Sequence, residues 1–216
     1  FSADASGPSC SHSYSASAMG CTASVADTLG TEILTSPRDK RTFHQDYLLV
    51  DKLGQGAFGS VYSAKKAGCQ AALPVAVKVV DLRSKDTDGR RQPKRDGKMQ
   101  RTATKEVDIW KSLPQSSHIV NLIHSTISDN LLYMVMEKCE LTLVRAIERM
   151  PVYTEKSMKF IFTDMLAGIE ACHSSGVAHR DVKPDNFLAV PSSTASSGYT
   201  IKMCDFGLAC RTDANA

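Results

Sequence analysis

Chemistry-bearing residues are concentrated in two short stretches near the end of the chain. Residues 179–186 read His-Arg-Asp-Val-Lys-Pro-Asp-Asn, and the triplet Asp205-Phe206-Gly207 follows. Asp181 supplies a carboxylate that can accept a hydrogen bond from a substrate hydroxyl, and Lys183 supplies a cation two residues later. Asn186 and Asp205 supply oxygen atoms, which are the ligands that Mg²⁺ prefers. The two stretches together predict a site for phosphoryl transfer.

A glycine-rich segment earlier in the chain is a candidate phosphate-binding loop. Residues 54–61 read Gly-Gln-Gly-Ala-Phe-Gly-Ser-Val, and glycines at this spacing let a backbone approach a phosphate closely. Dinucleotide-binding folds use the same spacing, but with a helix directly after the loop. Here the pattern predicts a strand over 60–65, a turn and a second strand over 74–80, although Asp81 imitates the ribose-binding acid of a dinucleotide site. We therefore favour a phosphate-covering hairpin over a dinucleotide site.

Lys78 interrupts the otherwise apolar second strand, where a charge is costly unless it is paired. Farther along, residues 105–113 have helical spacing that places Glu106 on the stripe facing the sheet. We expect Lys78 and Glu106 to form an ion pair. Asp108, on another face of the helix, is the rival partner, and a solvent-exposed Glu106 is the other alternative.

From Tyr47 to Ala209 these motifs resemble the catalytic domain of eukaryotic protein kinases, and Asp181-Val-Lys-Pro is typical of the serine/threonine branch. The resemblance implies an α+β, two-lobe fold with an N-terminal antiparallel five-stranded sheet and one main helix, followed by only the first part of a helical C-terminal lobe. We expect a disordered Ser/Ala-rich segment over 1–46 and a kinase domain over 47–216. The implied divisions are a small lobe over 47–136, a hinge over 137–140 and a partial large lobe over 141–216.

The same resemblance implies a role for each motif residue in transferring the γ-phosphate of Mg-ATP to serine or threonine hydroxyls of protein substrates. Lys78, oriented by Glu106, would contact the α- and β-phosphates of ATP. Lys183 would contact the γ-phosphate, and Asp181 would orient the substrate hydroxyl. The residues implied to hold Mg²⁺ are Asn186 and Asp205. Those implied to contact the nucleotide are Leu53, Gly54, Gly56, Gly59, Val61, Ala76, Lys78, Met136, Glu137, Cys139 and Leu188.

The resemblance further implies a packed row of side chains through Leu122, Trp110, His179 and Phe206. In that row Trp110 is bulkier than the usual aliphatic residue, which puts the local packing in question. His179 is then a structural residue rather than a general base, and a surface histidine is the alternative. Cys204 is either a thiol that reacts with electrophilic ligands of the nucleotide site or a buried, inert thiol.

The composition narrows the classes of partner. The chain has 216 residues, of which 42% are apolar, and its formal charge is +3. These values allow a sizeable core and give no reason to expect a nucleic acid partner. No apolar run is long enough to cross a bilayer, so no membrane partner is expected. The seven cysteines contain no Cys-x-x-Cys pair and are typical of reduced thiols, which predicts an intracellular protein of the cytoplasm, the nucleus or both.

The remaining elements are predicted from pattern alone. A basic stretch over 81–104 is either a patch for nuclear import or an acidic partner, or a solvated mobile loop, which we favour. Strands over 119–123 and 131–136 flank a turn at Asp129-Asn130. A helix from Thr154 to His173 is expected to bury one apolar stripe. The stripe consists of Met158, Ile161, Phe162, Met165, Leu166, Ile169 and Cys172. Strands over 187–190 and 200–204 flank a Ser/Thr-rich hairpin tip.

The sequence stops at Ala216, before any Ala-Pro-Glu-like element or the helices that complete the large lobe of a kinase. We therefore expect a fragment of a kinase, inactive without the rest of the lobe. A nucleotide-binding pseudokinase or scaffold module is the alternative. It is disfavoured because Lys78, Asp181 and Asp205 are all present.

Overall fold

The computed structural model describes residues 42–56, 59–69, 72–150, 152, 154–195 and 197–212. Its elements, in chain order, are α1 (Phe43–Asp46), β1 (Tyr47–Gly56), β2 (Gly59–Lys66), β3 (Val75–Asp81), β4 (Arg83–Lys85), β5 (Arg91–Arg95), α2 (Gly97–Ser112), β6 (Leu122–Ser128), β7 (Leu131–Glu137), β8 (Leu141–Thr142), α3 (Leu143–Glu148), α4 (Glu155–Ser174), β9 (Val177–Ala178), a 3₁₀ turn (Pro184–Asn186), β10 (Phe187–Pro191), β11 (Tyr199–Met203) and β12 (Cys210–Arg211). No described helix is both long and apolar enough to span a membrane.

The segment predicted to be disordered over 1–46 lies outside the described residues up to residue 41. Residues 43–46 form the short helix α1 instead of a disordered tail. Phe43 is 2% exposed, and its ring stacks on that of Tyr133 with 4.0 Å between centroids. Burial of this aromatic ring against the outer face of the sheet offsets the entropy lost on ordering the segment.

One sheet contains the strands β1, β2, β3, β7 and β6 in that order. Every neighbouring pair is antiparallel, which confirms the predicted five-stranded antiparallel sheet. The strand predicted over 119–123 is displaced, because β6 begins only at Leu122 and runs to Ser128. Asp129 and Asn130 have φ values of 52° and 63°, as a two-residue hairpin turn requires, and pairing of β6 with β7 runs back from this turn.

The basic stretch over 81–104 is not a loop. Strands β4 and β5 pair as a hairpin, and α2 begins at Gly97, well before the predicted start at residue 105. The side chain of Asp96 accepts hydrogen bonds from the backbone N–H groups of Lys98 and Met99. This N-cap satisfies two donors that the first turn leaves free, which explains why the helix starts there.

The rest of the described chain places helices α3 and α4 beside a three-stranded sheet, β11-β10-β8. Helix α4 is capped at its N-terminus by Thr154, whose side chain accepts a hydrogen bond from the N–H group of Ser157, and Gly176 follows its end with a φ of 65°. The helix packs so closely that a Cβ atom on Gly168 would lie 2.7 Å from the carbonyl oxygen of His118. This approach brings the large lobe directly against the loop that follows α2.

The predicted apolar stripe of α4 is only partly buried. Ile161 and Cys172 are in the core, whereas Phe162 and Leu166 are 54% and 64% exposed. Phe162 and Leu166 are four residues apart and therefore lie on one side of the helix, which no described element covers. Periodicity identified the apolar side chains of α4 but overstated how many of them reach the core.

Candidate active site

A cavity of about 400 Å³ lies between the five-stranded sheet and the β10–β11 hairpin. It is lined by all of the residues predicted to contact the nucleotide, by Glu106, and by both predicted metal ligands, Asn186 and Asp205. Asp181 and Lys183 do not line it but are joined to it through hydrogen bonds. Cys204, which the sequence analysis named as a possible reactive thiol of the nucleotide site, also lines it. Further lining residues that the sequence analysis did not assign to the site are Trp110, Glu140, Leu141, Thr142 and Asp185. Of these, Asp185 could have been found from its place beside Asn186 in the motif.

The Lys78 side chain forms ion pairs with two carboxylates in the cavity. It lies in the middle of β3, paired on one side with Val61 and on the other with Met134. Its Nζ atom is 2.7 Å from Oε1 of Glu106 and 2.7 Å from Oδ1 of Asp205. Burial by itself would lower the pKa of Lys78, but the two carboxylates outweigh it and the pKa is raised. The lysine therefore stays charged in an interior position.

Helix α2 brings Glu106 rather than its rival Asp108 to this lysine. The Glu106 side chain is 3% exposed, whereas Asp108 is exposed to solvent. The two residues are 200° apart around a helix of 3.6 residues per turn, roughly on opposite faces. The structure thus brings together Lys78 and Glu106, as the stripe pattern predicted.

The three glycines of the loop differ in what they permit. Gly59 has a φ of 154°, and a Cβ atom there would collide with the carbonyl oxygen of Val79. At Gly54 and Gly56 a Cβ atom would meet no described atom within 4 Å. Gly59 is thus required by the packing of β2 on β3, whereas the other two leave open space on the cavity side. That Gly54 and Gly56 let the backbone approach the phosphates of a nucleotide stays a prediction.

The motif over 179–186 forms a compact polar cluster. Lys183 Nζ lies 2.8 Å from Oδ2 of Asp181, and Asn186 Nδ2 donates to the same oxygen at 2.8 Å. A second bond from Asn186 Nδ2 reaches the Asp181 carbonyl at 2.8 Å, which holds the turn closed. The hydrogen bonds from Lys183 and then from Asn186 keep the pKa of Asp181 below its usual range. Asp181 is accordingly an anion at neutral pH, fixed in direction by two donors.

An aromatic row connects α2 to the Asp205-Phe206-Gly207 triplet. The ring centroids of Trp110 and Phe206 are 5.5 Å apart, and those of Phe206 and His179 are 5.2 Å apart. Trp110 Nε1 donates a hydrogen bond of 2.7 Å to the carbonyl oxygen of Val120, so the bulky indole is accommodated without an unpaired N–H group. His179 is 3% exposed, and its Nε2 lies 3.0 Å from the carbonyl oxygen of Cys204. His179 is thus a buried packing residue and not a surface histidine.

The donor set at the base of the cavity fits a hard divalent cation. Both hydrogen bonds from the side-chain nitrogen of Asn186 go to Asp181, which leaves the amide oxygen available in the cavity that Asn186 and Asp205 both line. Among the described residues, no three His, Cys, Asp or Glu side chains form a cluster that could hold a metal alone. One amide and one carboxylate suit Mg²⁺, which is normally held by few protein oxygens together with phosphates and water.

Two cysteines also line the cavity. Burial raises the pKa of Cys204 to about 12, and burial together with Glu137 raises the pKa of Cys139 to about 12. A thiol is nucleophilic only as the thiolate. The geometry therefore favours the inert interpretation of Cys204 over the reactive one.

Comparison with known proteins agrees with this geometry. The family model of the protein kinase domain matches residues 47–216. The chain is 33% identical over 180 residues to calcium-dependent protein kinase 13 of Arabidopsis thaliana, covering 78% of this chain and 30% of that protein. It is 32% identical over 169 residues to the MAP kinase-interacting serine/threonine-protein kinase mnk-1 of Caenorhabditis elegans, covering 77% of this chain and 22% of that protein.

The chain thus spans less than a third of the length of either relative. The matched region includes the cavity, the glycine loop and both motifs described above. The chain therefore belongs to the protein kinase domain family, and the relative from Caenorhabditis elegans is named a serine/threonine-protein kinase.

Proposed function

We propose that this domain transfers the γ-phosphate of Mg²⁺-bound ATP to serine or threonine hydroxyls of protein substrates. The observation that carries the proposal is the double ion pair of Lys78 with Glu106 and Asp205 on the wall of the cavity. The ion pairs hold the ammonium group in a fixed place on the cavity wall, where it can contact an anionic ligand such as a triphosphate.

The lining of the cavity suits each part of the nucleotide. Val61 and Ala76 from the sheet and Leu188 from β10 provide apolar surface on opposite sides, between which an adenine ring would be enclosed. The backbone of Glu137 and Cys139 offers polar groups at the edge of that slot. Gly54 leaves open space where a backbone can approach the phosphates. These contacts would place the terminal phosphate toward Asp205.

Asp181 is positioned to orient a hydroxyl rather than to remove its proton early. Its pKa is depressed by donors from Lys183 and Asn186, and a weak base gains little by taking a proton before the new bond to phosphorus forms. Lys183, held 2.8 Å from Asp181, supplies positive charge next to the same hydroxyl. Bound Mg²⁺, held by Asn186 and Asp205, would neutralise negative charge on the phosphate oxygens.

We further propose that the protein acts inside the cell, in the cytoplasm, the nucleus or both. The support is that five cysteines in the described part of the chain are free thiols. Protein substrates with serine or threonine acceptors are the partners that the proposal requires. Neither nucleic acid nor membrane is part of it.

The test is Mg²⁺-dependent transfer of labelled γ-phosphate to a mixed serine/threonine peptide library by the longest natural form of the protein. The negative control is Asp181→Asn, which should lower the rate of phosphate transfer by about 10²- to 10⁴-fold while ATP binding is kept. ATP binding is measured in parallel on both proteins. A folded wild-type protein that binds ATP and transfers nothing would overturn the proposal and favour the pseudokinase or scaffold alternative.

A further inference from the structure

A second ion pair lies on the opposite side of the hinge from the nucleotide cavity. Lys202 Nζ is 2.8 Å from Oε1 and 2.9 Å from Oε2 of Glu137, so the ammonium group bridges both carboxylate oxygens. The side chains are 15% and 28% exposed, which leaves the pair only weakly screened by solvent. Lys202 belongs to β11 and Glu137 is the last residue of β7. The pair therefore joins the hinge to the strand that leads into the Asp205 triplet.

Backbone hydrogen bonds fix the carboxylate end of this pair. The N–H group of Asn121 donates to Oε1 of Glu137 at 2.7 Å, and the N–H group of Glu137 donates to the carbonyl oxygen of Asn121 at 3.0 Å. Glu137 is thus held on both its backbone and its side chain by a single neighbour. The carboxylate cannot turn away from Lys202 without breaking one of these bonds.

The segment that contains Asn121 is itself joined to β11. The N–H group of Val120 donates to the carbonyl oxygen of Met203 at 2.9 Å, and the N–H group of Met203 donates to the carbonyl oxygen of His118 at 2.8 Å. Three segments therefore meet at Lys202, namely the hinge, the loop after α2 and β11. Among the described residues, only the Lys202–Glu137 contact connects β11 to the hinge directly by side chains with opposite charges.

Lys202 does not reach the nucleotide cavity. It lines a different cavity, of about 540 Å³, behind the hinge, whereas Glu137 lines both cavities. Any effect of Lys202 on the nucleotide must therefore pass through Glu137 or through β11. This placement separates Lys202 from the residues that would touch ATP.

We propose that Lys202 is a positioning residue that sets the separation between the adenine-holding hinge and the phosphate-holding Asp205. This inference rests on the proposed nucleotide site. Adenine and the phosphates would be held by different strands, so a ligand spanning both gains full affinity only when the two anchors are already correctly spaced. The ion pair with Glu137 fixes this spacing by joining β11 to the hinge outside the nucleotide cavity.

The distinguishing experiment compares two ligands on the longest natural form of the protein. Mg-ATP spans both anchors, whereas adenosine needs the hinge and no metal site. Lys202→Met should weaken Mg-ATP binding about tenfold, because a ligand held at both ends loses affinity when its two anchors are no longer held at the right spacing. Adenosine affinity should change by less than about twofold, because the hinge backbone itself is kept.

Three further variants identify the ion pair as the cause. Lys202→Arg keeps a cation and should retain Mg-ATP affinity. Glu137→Gln removes the charge but keeps an oxygen that can accept from Asn121, and Lys202→Met added to it should cause little further loss. Lys111→Met is the matched control. Lys111 lines the same rear cavity and makes no ion pair with any described residue, so its removal should leave both ligands unaffected.

The possible results separate this inference from the proposed function. A wild-type protein that binds neither ligand refutes the proposed nucleotide site. A wild-type protein that binds both, with Mg-ATP affinity unchanged in Lys202→Met, overturns the role of Lys202 alone. Equal losses of adenosine and Mg-ATP, or additive losses in the double variant, would show a general structural role and overturn the inference as well.

Discussion

Lys78 and Asp205 are separated by 127 positions in the chain, yet Nζ of the lysine lies 2.7 Å from Oδ1 of the aspartate. The contact joins the central strand β3 of the sheet to the triplet that follows β11. The same ammonium group also lies 2.7 Å from Oε1 of Glu106, so it forms ion pairs with two carboxylates. The stability of the domain and its capacity to bind a nucleotide should therefore depend on the same three charges.

We expect Lys78→Met to lower the free energy of unfolding by about 3–5 kcal/mol, because it leaves the carboxylate of Glu106 buried without a partner. Urea denaturation measures this. Lys78→Met combined with Glu106→Leu should recover most of the loss, since the double variant buries no charge. A double variant as unstable as Lys78→Met would show that packing, not charge, accounts for the loss.

The pH dependence of the same ion pair follows from the raised pKa of Lys78. A base whose folded-state pKa exceeds its unfolded value contributes its full stability below the unfolded pKa. That contribution should be constant below the ordinary value of 10.5 and be lost as the pH rises through the folded-state pKa. The difference in unfolding free energy between wild type and the Lys78→Met, Glu106→Leu variant, measured from pH 7 to pH 11, should stay constant below the ordinary pKa of 10.5 and shift in favour of the variant only above it. A shift of this difference near neutral pH would contradict the prediction.

Substitutions at two glycines of the loop should separate the effects on ATP binding from the effects on stability. Gly54→Ala should leave stability unchanged or raise it by about 0.4–1 kcal/mol, because the added methyl group meets no described atom and restricts the unfolded chain. It should nevertheless weaken the binding of ATP, because the proposed position of the phosphates lies in that space. Gly59→Ala should lower stability by about 1–3 kcal/mol through its collision with the Val79 carbonyl and its unfavourable φ. Thermal unfolding and ATP titration of both variants give the two readouts. Equal stability losses in the two variants would contradict the assignment.

Trp110→Phe tests the accommodation of the bulky residue in the aromatic row. Phenylalanine can still pack on Phe206 but leaves the Val120 carbonyl without its 2.7 Å partner. We expect a loss of about 1–3 kcal/mol in the free energy of unfolding, which is the usual cost of an unsatisfied buried group. Circular dichroism during urea denaturation follows the loss after the sole tryptophan has been removed. A phenylalanine variant as stable as wild type would show that the hydrogen bond contributes nothing net.

The two thiols of the cavity should resist alkylation at neutral pH. With a pKa of about 12, Cys204 has a thiolate fraction of about one in ten thousand at pH 8, against about a quarter for a free cysteine. Iodoacetamide followed by mass spectrometry should label the exposed Cys69 at least about 100-fold faster than Cys204 or Cys139. Rapid labelling of Cys204 at pH 8 that ATP blocks would reinstate the reactive interpretation.

Local patterns were sufficient to predict much of this protein. The motif over 179–186 is contiguous, so the cluster of Asp181, Lys183 and Asn186 depends on one turn and could be anticipated from the sequence. The turn at Asp129-Asn130 and the cap at Thr154 are likewise decided by residues that are neighbours in the chain. The five-stranded sheet followed from strand patterns combined with the family resemblance.

Tertiary structure decided the features that depend on distant segments. The choice of Glu106 over Asp108 required the position of α2 on the sheet, and the exposure of Phe162 required the packing of α4. Periodicity states which side chains share a face, but not how much of that face a neighbour covers. The pairs Lys78–Asp205 and Lys202–Glu137 had no sequence signal at all, since neither spacing nor residue type says which charges meet after the lobes come together. The sequence alone thus determined the residues available for phosphoryl transfer and predicted the Lys78–Glu106 pair, whereas only the packing of distant segments determined that Lys78 also meets Asp205 and that Lys202 meets Glu137.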